Sequence, residues 1–300
     1  KGGSRDVVLG FDSVTGYEGN DCFFGSTIGR NANRIGGASF EIDGVKYELA
    51  ANENGNNLHT DKEHGFHKAI WNAEVLEAEN AVKFTYRSPD GENGFPGNLD
   101  MSVTYTLQED NAIRIDYDGV SDKKTVINVT NHSYFNLAGH DSGSIHDERV
   151  MIKADGFTEI LPGAIPTGRT LPVEGTPMDL RSLKRVGDEI DADFEQLTLV
   201  GGYDHNWVLD NHGDLEQIAQ VEDDRSGITM EVYTDLPGVQ FYAGNFITPQ
   251  TGKGGVAYDK RHALCLETQY FPDAVHHLEF PQPVFEAGQK VHTSTIYKFR

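Results

Sequence analysis

The sequence predicts an all-β protein, and three observations lead to that prediction. Short segments that alternate apolar and polar residues recur along the whole chain, Gly-rich turns separate them, and helical periodicity is scarce. Many short strands joined by tight turns bury their apolar faces by forming a sandwich or a barrel. Because no repeat of fixed period and no long linker divides residues 1–300, we expect a single domain.

Hairpin and strand signals define the individual elements. Asp43 and Gly44 separate two alternating segments, and both residues tolerate the positive φ that a two-residue hairpin turn requires. Segment 183–194 is predicted to hold a short helix. The predicted strands are 7–11, 38–42, 45–49, 82–86, 99–107, 113–117, 126–129, 150–152, 228–233, 239–242, 264–266 and 296–299.

The charge of the chain limits the kinds of partner it can have. With 47 acidic residues against 25 Lys and Arg, the formal net charge is -22. Such a chain repels nucleic-acid phosphates and anionic lipid, and no segment approaches the roughly 18 apolar residues that span a bilayer. We expect neither nucleic acid nor membrane as a partner. The expected state is a cytoplasmic monomer or weak dimer, with a secreted or periplasmic form left open.

The cysteines and the start of the chain give further expectations. Cys22 and Cys265 each lie in an apolar run, which predicts buried free thiols rather than a disulfide framework. The chain begins at Lys1 without a secretory signal pattern and enters a strand-like segment at Val7. We interpret this start as lying inside a longer protein.

One polar segment has histidines at a spacing that suits a metal. His59, His64 and His67 lie in the first of three predicted loops, and imidazole is the commonest metal ligand in proteins. No Cys and no repeated spacing supports a metal there, so we expect none. The three predicted loops, where functional residues tend to concentrate, are 52–68, 88–97 and 139–148.

Polar side chains also lie at the ends of predicted strands. Strand 126–129 leads into a segment that has His132 among hydroxyl, amide and aromatic groups, and Asp204 precedes another strand. Glu267 directly follows the apolar run 264–266. A buried carboxylate without a partner is costly, so Glu267 needs either a partner or a function.

Taken together, these segments supply imidazoles, carboxylates, guanidiniums, amides and aromatic rings. The sequence has no Ser–His–Asp order of a hydrolase triad, no reactive-cysteine motif, no dinucleotide-binding glycine motif and no phosphate loop. Amides, Arg and carboxylates bind hydroxyl groups, and aromatic faces lie against C–H surfaces. The residues alone therefore predict a carbohydrate site that works by acid–base chemistry.

Six blocks of the sequence, taken in order, resemble the aldose 1-epimerase (galactose mutarotase) family. They are 29–35, Leu58-His59, 130–139, 204–206, 237–245, and 266–269 with 272–274. Each block alone is a weak signal, but their shared order along nearly the whole chain is specific. The resemblance implies a large antiparallel β-sandwich of the galactose mutarotase type, with an open polar cleft and further strands upstream. It also implies a free monosaccharide such as galactose or glucose as substrate, and no cofactor.

The resemblance implies roles for individual residues. His132 matches the general acid that protonates the sugar ring oxygen, and Glu267 matches the general base that deprotonates the anomeric hydroxyl. Residues that match sugar-holding or cleft-lining positions are Arg34, His59, Asp204, Asn33 and Gln240. Arg30 lies in the first block, and the resemblance gives it no role.

The implied reaction interconverts the α and β anomers of an aldose. One proton reaches the ring oxygen while another leaves the anomeric hydroxyl, and rotation about the C1–C2 bond before closure gives the other anomer. We expect donors from His and Arg neighbours to keep Glu267 ionised, and nearby negative charge to keep His132 protonated.

Two other functions fit the same residues. Asp204 and Glu267 could flank a glycosidic bond as the carboxylate pair of a glycoside hydrolase, which would release a new reducing end. A non-catalytic sugar-binding protein on the same scaffold is the other alternative. The presence of both His132 and Glu267 argues against the latter, because a protein that had lost catalysis would often lack one of them.

Overall fold

A computed structural model describes residues 3–300, and regular structure in that range is mostly β. The α-helices within it are α1 (Val14–Glu18), α2 (Val186–Glu189) and α3 (Glu195–Val200), and 3-10 turns lie at Gly36–Ala38, Glu77–Glu79, Glu92–Gly94, Lys253–Gly255 and Ala274–His276. The strands are β1 (Ser26–Ile28), β2 (Arg34–Ile35), β3 (Ser39–Ile42), β4 (Val45–Glu48), β5 (Asn57–Leu58), β6 (Asn72–Leu76), β7 (Ala81–Ser88), β8 (Leu99–Gln108), β9 (Ala112–Ser121), β10 (Thr125–Val126), β11 (Thr130–His132), β12 (Arg149–Ile152), β13 (Gly156–Leu161), β14 (Ile165–Pro172), β15 (Lys184–Arg185), β16 (Asp204–Val208), β17 (Glu216–Asp223), β18 (Ile228–Thr234), β19 (Gly238–Tyr242), β20 (Gln250–Thr251), β21 (Ala257–Tyr258), β22 (Cys265–Gln269), β23 (Val284–Phe285) and β24 (Lys290–Phe299). None of the helices between residues 3 and 300 has the length and apolar character needed to cross a membrane.

Two large sheets contain most of the strands. The larger sheet has nine strands in the order β15-β12-β17-β18-β24-β9-β8-β7-β6, and the smaller has five in the order β14-β13-β16-β19-β22. Neighbouring strands are antiparallel in both sheets. Short two-stranded pairs β1–β11, β2–β5, β3–β4, β10–β23 and β20–β21 lie beside them.

The main core lies between the two large sheets. Because side chains alternate between the two faces of a strand, Trp207, Phe241 and Leu266 of the five-stranded sheet share one face. They pack in a single buried cluster with Met230 and Tyr297 of the nine-stranded sheet. Burying each such side chain contributes roughly 1.5–3 kcal/mol, so this face fixes the smaller sheet firmly in place. The expected all-β antiparallel sandwich is confirmed, and the opposite face of β16, β19 and β22 can carry polar groups.

Local predictions are mostly confirmed. Asp43 (φ 51°) and Gly44 (φ 79°) form the tight turn between β3 and β4, in which Ile42 pairs with Val45. Both cysteines are free and buried. Within the three predicted loops, the named elements are β5, the 3-10 turn Glu92–Gly94 and Ser88, the last residue of β7.

Two predicted strands are shorter than expected. Segment 7–11 forms one isolated bridge, between Val8 and Phe135, because its partner is an irregular segment that also pairs with Leu264. Strand 126–129 ends at Val126 in β10, since the following backbone amides donate to other segments. In both places tertiary hydrogen bonding overrides the local alternation.

The short helix expected within 183–194 is the four-residue α2. β15 precedes it, and an irregular segment lies between it and α3. Asp191 in that irregular segment accepts two hydrogen bonds from the guanidinium of Arg261, at 2.7 and 2.8 Å. This long-range ion pair links the turn after α2 to a distant part of the chain.

Candidate active site

One face of the five-stranded sheet brings polar side chains together. β16, β19 and β22 are neighbours, and Asp204, Gln240 and Glu267 lie on the face opposite the core. Gln240 is directly opposite Glu267 in the register, and its Nε2–H donates to Oδ1 of Asp204 at 2.8 Å. The alternation that buries Trp207 and Phe241 therefore also places these carboxylates.

His132 is placed against this face by the chain that follows β11. Phe135 exchanges two backbone hydrogen bonds with Leu264, at 2.8 and 2.9 Å, which brings β11 beside the start of β22. Nε2 of His132 then lies 3.6 Å from Oε2 of Glu267. Its Nδ1 lies 3.5 Å from Sγ of Cys265, and the Tyr134 ring stacks on it with centroids 5.0 Å apart.

The pairing of β2 with β5 brings further polar side chains to the same region as the polar sheet face and His132. Arg34 is opposite Leu58, so its guanidinium and the next residue, His59, reach the same region. Nε and Nη2 of Arg34 donate to the two carboxylate oxygens of Glu53, at 2.6 and 2.8 Å. Arg34 is thus fixed by a bidentate charged pair, which is the strongest kind of side-chain hydrogen bonding.

The backbone around His59 determines which nitrogen of its ring carries the proton. The amide N–H of Asn33 donates to Nδ1 of His59 at 3.1 Å, so Nδ1 has no proton and Nε2–H is the donor. Both residues have positive φ, 60° and 53°, in the left-handed region that Asn and His adopt more often than most residues. The fold therefore presents a neutral imidazole with a fixed N–H.

These residues line a cavity of about 230 Å³. It is smaller than the roughly 300–1,000 Å³ typical of drug-sized ligands, so it suits a small polar molecule. Six of the seven predicted site residues line it: Asn33, Arg34, His59, His132, Asp204 and Glu267. Gln240 does not line the cavity but holds Asp204, which differs from the predicted cleft-lining role. Larger depressions of about 600 and 950 Å³ contain none of these residues.

Burial controls the charges in this cavity. It raises the pKa of Glu267 well above its ordinary value, and the negative charge of Asp204 acts in the same direction while Arg34 opposes it. It lowers the pKa of His132 to about 3, and it places the pKa of His59 well below the ordinary value. Burial also raises the pKa of Asp204, against the effect of Arg34.

The expected protonation of His132 and Glu267 is therefore wrong for the protein without substrate. The prediction from sequence was a protonated His132 beside an ionised Glu267. Desolvation outweighs the neighbouring charges, and it favours a neutral imidazole beside a neutral carboxyl group. The raised pKa of Glu267 and the lowered pKa of His132 both favour a single shared proton that lies on Glu267 in the sugar-free protein.

Glu267 also has an unsatisfied hydrogen-bonding atom. Its Oε2 is buried and has no hydrogen-bond partner among residues 3–300, since the 3.6 Å to His132 is too long for a hydrogen bond. Leaving a buried polar atom unpaired costs about 1–3 kcal/mol. A hydroxyl group entering the cavity would supply the missing hydrogen-bond partner.

His59, His132 and Glu267 are residue types that bind metals, and they lie close enough together to form a metal site. Ligand atoms of His59, His132 and Glu267 lie within 4.8 Å of one another. A metal-binding imidazole normally donates its other N–H to the protein, whereas Nδ1 of His59 accepts a hydrogen bond and leaves the proton on the cavity-facing nitrogen. This tautomer does not suit a ligand, so we expect no metal to be required.

The other two predicted loop histidines, His64 and His67, do not join this set. His64 is exposed and its Nδ1 lies 3.2 Å from Oδ1 of Asp61. His67 lies with its Nε2 3.0 Å from the carbonyl of Lys62, and its ring meets the edge of Phe23. The spacing of the three histidines therefore reflects loop structure rather than a shared site.

Several site residues were not predicted from the sequence. Glu53, which binds Arg34, lies in a predicted loop where no pattern distinguishes it from other acidic residues. Cys265 was predicted only as a buried thiol, yet its sulfur contacts His132. Tyr134 and Gln269 lie in the blocks noted above, and their contacts depend on how β11 and β22 meet. That arrangement is not readable from one strand at a time.

Comparison with known proteins identifies the family of this chain. The family model described as aldose 1-epimerase matches residues 1–298. The chain belongs to this family. Human galactose mutarotase is 43% identical over 300 residues, which is 100% of this chain and 85% of that protein. The aldose 1-epimerase of Escherichia coli is 37% identical over 301 residues, covering 99% of this chain and 86% of its own length.

Solved structures of the aldose 1-epimerase family share the fold. An aldose epimerase homologue from C. elegans superposes with a TM-score of 0.89 at 28% identity, covering 99% of this chain and 88% of that one. A galactose 1-epimerase from Lactobacillus acidophilus gives a TM-score of 0.87 at 26% identity, covering 99% and 85%. Family membership makes the chain an isomerase.

Proposed function

We propose that this chain interconverts the α and β anomers of free hexoses such as galactose and glucose, with His132 as general acid and Glu267 as general base. The observation that carries the proposal is the pair itself. Nε2 of His132 and Oε2 of Glu267 lie 3.6 Å apart, buried, in a cavity of suitable size. General acid–base catalysis needs two such groups at one reacting centre.

The shared proton makes the pair suited to ring opening. A sugar hydroxyl that donates to Oε2 of Glu267 stabilises the carboxylate, and the proton then moves to Nε2 of His132. His132 gives this proton to the ring oxygen while Glu267 takes the proton of the anomeric hydroxyl. The bond between C1 and the ring oxygen breaks, and the C1 carbonyl forms.

Ring closure reverses both proton transfers. Rotation about the C1–C2 bond turns the other face of the aldehyde toward the ring hydroxyl. Glu267 then returns its proton to the carbonyl oxygen, and His132 accepts the proton of the hydroxyl that attacks C1. The pair begins and ends with one proton, so neither an oxidant nor a second reactant is needed.

The remaining cavity residues hold the sugar in place. His59 offers a fixed Nε2–H donor, because Asn33 occupies its other nitrogen. Asp204, which Gln240 orients, offers an acceptor, and Arg34, which Glu53 fixes, offers a charged donor. Preorganised groups of this kind lower the entropic cost of placing the anomeric centre between acid and base.

The test is the optical rotation of freshly dissolved α-galactose and α-glucose. We expect the protein to accelerate the decay to the equilibrium rotation without releasing a new reducing end from glycosides. Protein dialysed exhaustively against EDTA should be equally active, because the reaction needs proton transfers rather than a Lewis acid. Decay at the spontaneous rate for both sugars would contradict the proposal, and hydrolysis of a glycoside would support a glycoside hydrolase instead.

A further inference from the structure

We propose that Cys265 is a positioning residue, whose sulfur contacts Nδ1 of His132 and thereby keeps Nε2 directed at Glu267. This inference rests on the acid and base roles proposed above. It assigns a function to a buried thiol that does not touch the sugar and that the reaction does not consume.

One strand contacts both nitrogens of a single imidazole. Cys265 and Glu267 are alternate residues of β22, so they share one face at a separation of about 7 Å. Sγ of Cys265 lies 3.5 Å from Nδ1 of His132, and Oε2 of Glu267 lies 3.6 Å from Nε2. The imidazole thus lies between two side chains whose spacing is fixed by the strand.

The stacking partner of His132 cannot by itself fix the ring. Tyr134 lies nearly parallel to the imidazole, with an interplanar angle of 22°, and it holds the plane of the ring. Turning the ring over within that plane exchanges each nitrogen with a carbon, and stacking is the same in both orientations. The overturned ring would present a C–H group to Glu267. The contacts of the ring nitrogens distinguish the two orientations, and those at Nδ1 come from Sγ of Cys265 and from the backbone of His132 itself.

A thiol suits this role because it is a weak partner. Burial raises the pKa of Cys265 well above its ordinary value, so the sulfur is neutral. We assign Nδ1–H of His132 as the donor and sulfur as the acceptor, which leaves the lone pair of Nε2 facing the proton on Glu267. A carboxylate at Nδ1 would stabilise the imidazolium and make it a weaker acid. The thiol orients His132 without that effect.

Two substitutions at Cys265 separate orientation from packing. Cys265→Ala removes the contact, and we expect kcat to fall about tenfold with KM unchanged, the size of one neutral hydrogen bond. Cys265→Ser restores an acceptor and should return kcat to within about threefold of wild type. Because a hydroxyl accepts more strongly than a thiol, the low-pH limb of kcat should move to higher pH in Cys265→Ser.

Thr268→Val is the matched control for damage to the strand. Thr268 is buried on the opposite, core-facing side of β22, where its hydroxyl contacts that of Thr295. The substitution should lower stability and leave kcat unchanged. Equal kcat in Cys265→Ala and wild type would overturn the inference. A Cys265→Ser variant that is no more active than Cys265→Ala would also overturn it. So would a Thr268→Val variant whose kcat falls together with its stability, because activity would then follow damage to the strand.

Nitrogen NMR of His132 in the sugar-free protein makes the test independent of turnover. The wild type should show a protonated Nδ1 and an unprotonated Nε2, assigned by the signals that disappear in His132→Asn. Cys265→Ala should shift toward a mixture of tautomers, and Cys265→Ser should keep the wild-type pattern. If the wild type does not accelerate mutarotation, the proposed function fails while these spectra still decide the contact. An unchanged pattern in Cys265→Ala would overturn the inference.

Discussion

Arg30 and Arg34 are four residues apart in the sequence, and both are buried, yet they belong to different kinds of polar cluster. All three guanidinium nitrogens of Arg30 donate to Ser88 at the end of β7, to the loop that follows it or to Thr125. Nε and Nη2 of Arg34 bind Glu53, whereas Nη1 donates to no residue in the range 3–300. All the guanidinium nitrogens of Arg30 have partners within the fold, whereas Nη1 of Arg34 can donate to a ligand in the cavity.

The surroundings of the two arginines differ in the same way. Around Arg30, Ser88 donates to Glu92, and backbone carbonyls complete the cluster. Around Arg34, Oε2 of Glu267 is unpaired, and burial raises the pKa of both Asp204 and Glu267. The hydrogen bonds of Arg30 hold a loop, whereas the unpaired Oε2 of Glu267 near Arg34 lies at a cavity that a ligand can enter.

The largest effect is expected for Glu267→Gln. The amide keeps the shape of the side chain but cannot take a proton, so kcat should fall by about 10²–10⁴-fold with little change in sugar affinity. Glu148→Gln is the matched control, because Glu148 is also buried with a raised pKa, of about 8, and binds only backbone amides. Its kcat should equal that of wild type. Loss of affinity with kcat intact in Glu267→Gln would make Glu267 a binding residue and Asp204 the candidate base.

His132→Asn should be nearly as damaging. The variant retains a polar group in the cavity but has no proton to deliver to the ring oxygen, so kcat should fall at least about 10²-fold while much of the sugar binding remains. Steady-state polarimetry with a binding measurement on the same folded variant separates the two effects. Near-normal turnover would show that another residue is the acid.

Parallel Lys substitutions test the comparison of the two arginines directly. Arg34→Lys loses the bidentate geometry at Glu53 and should raise KM by about 10–100-fold with modest loss of stability. Arg30→Lys leaves several buried acceptors unpaired and should lower the free energy of unfolding by about 3–5 kcal/mol. Its kcat and KM, measured on folded protein, should stay near wild type. A swap of these two outcomes would invalidate the distinction between the clusters.

The smallest effect is the dependence of kcat/KM on pH in the neutral range, where we expect almost none. This parameter reports the ionisation of the sugar-free protein. His132 and Glu267 together hold one proton there, so activity is lost by gaining a second proton near the His132 pKa of about 3, or by losing the only proton at the raised pKa of Glu267. We therefore expect kcat/KM to fall on the alkaline side. A rise in kcat/KM centred on the ordinary glutamate pKa of 4.5 would show that Glu267 titrates as an exposed group does.

Much of the fold could be predicted because the alternation of apolar and polar residues is visible within each strand segment by itself. The alternation in 99–107 and 113–117 and the Asp43-Gly44 turn need no tertiary information, and an acidic residue after 264–266 already indicates a site. The difference between Arg30 and Arg34 could not be predicted, because it depends on which loop covers each guanidinium. The protonation of the catalytic pair was predicted wrongly for the same reason, since burial arises only when the sheets meet.

The most direct test of the central claim is exchange NMR of equilibrated galactose in the presence of the protein. Magnetisation placed on the α-anomeric proton should appear at the β-anomeric proton at a rate that rises with protein concentration. The added rate should vanish with Glu267→Gln and persist with Glu148→Gln. An exchange rate equal to that of sugar alone, or one unaffected by Glu267→Gln, would contradict the assignment of this cavity as the site of anomer interconversion.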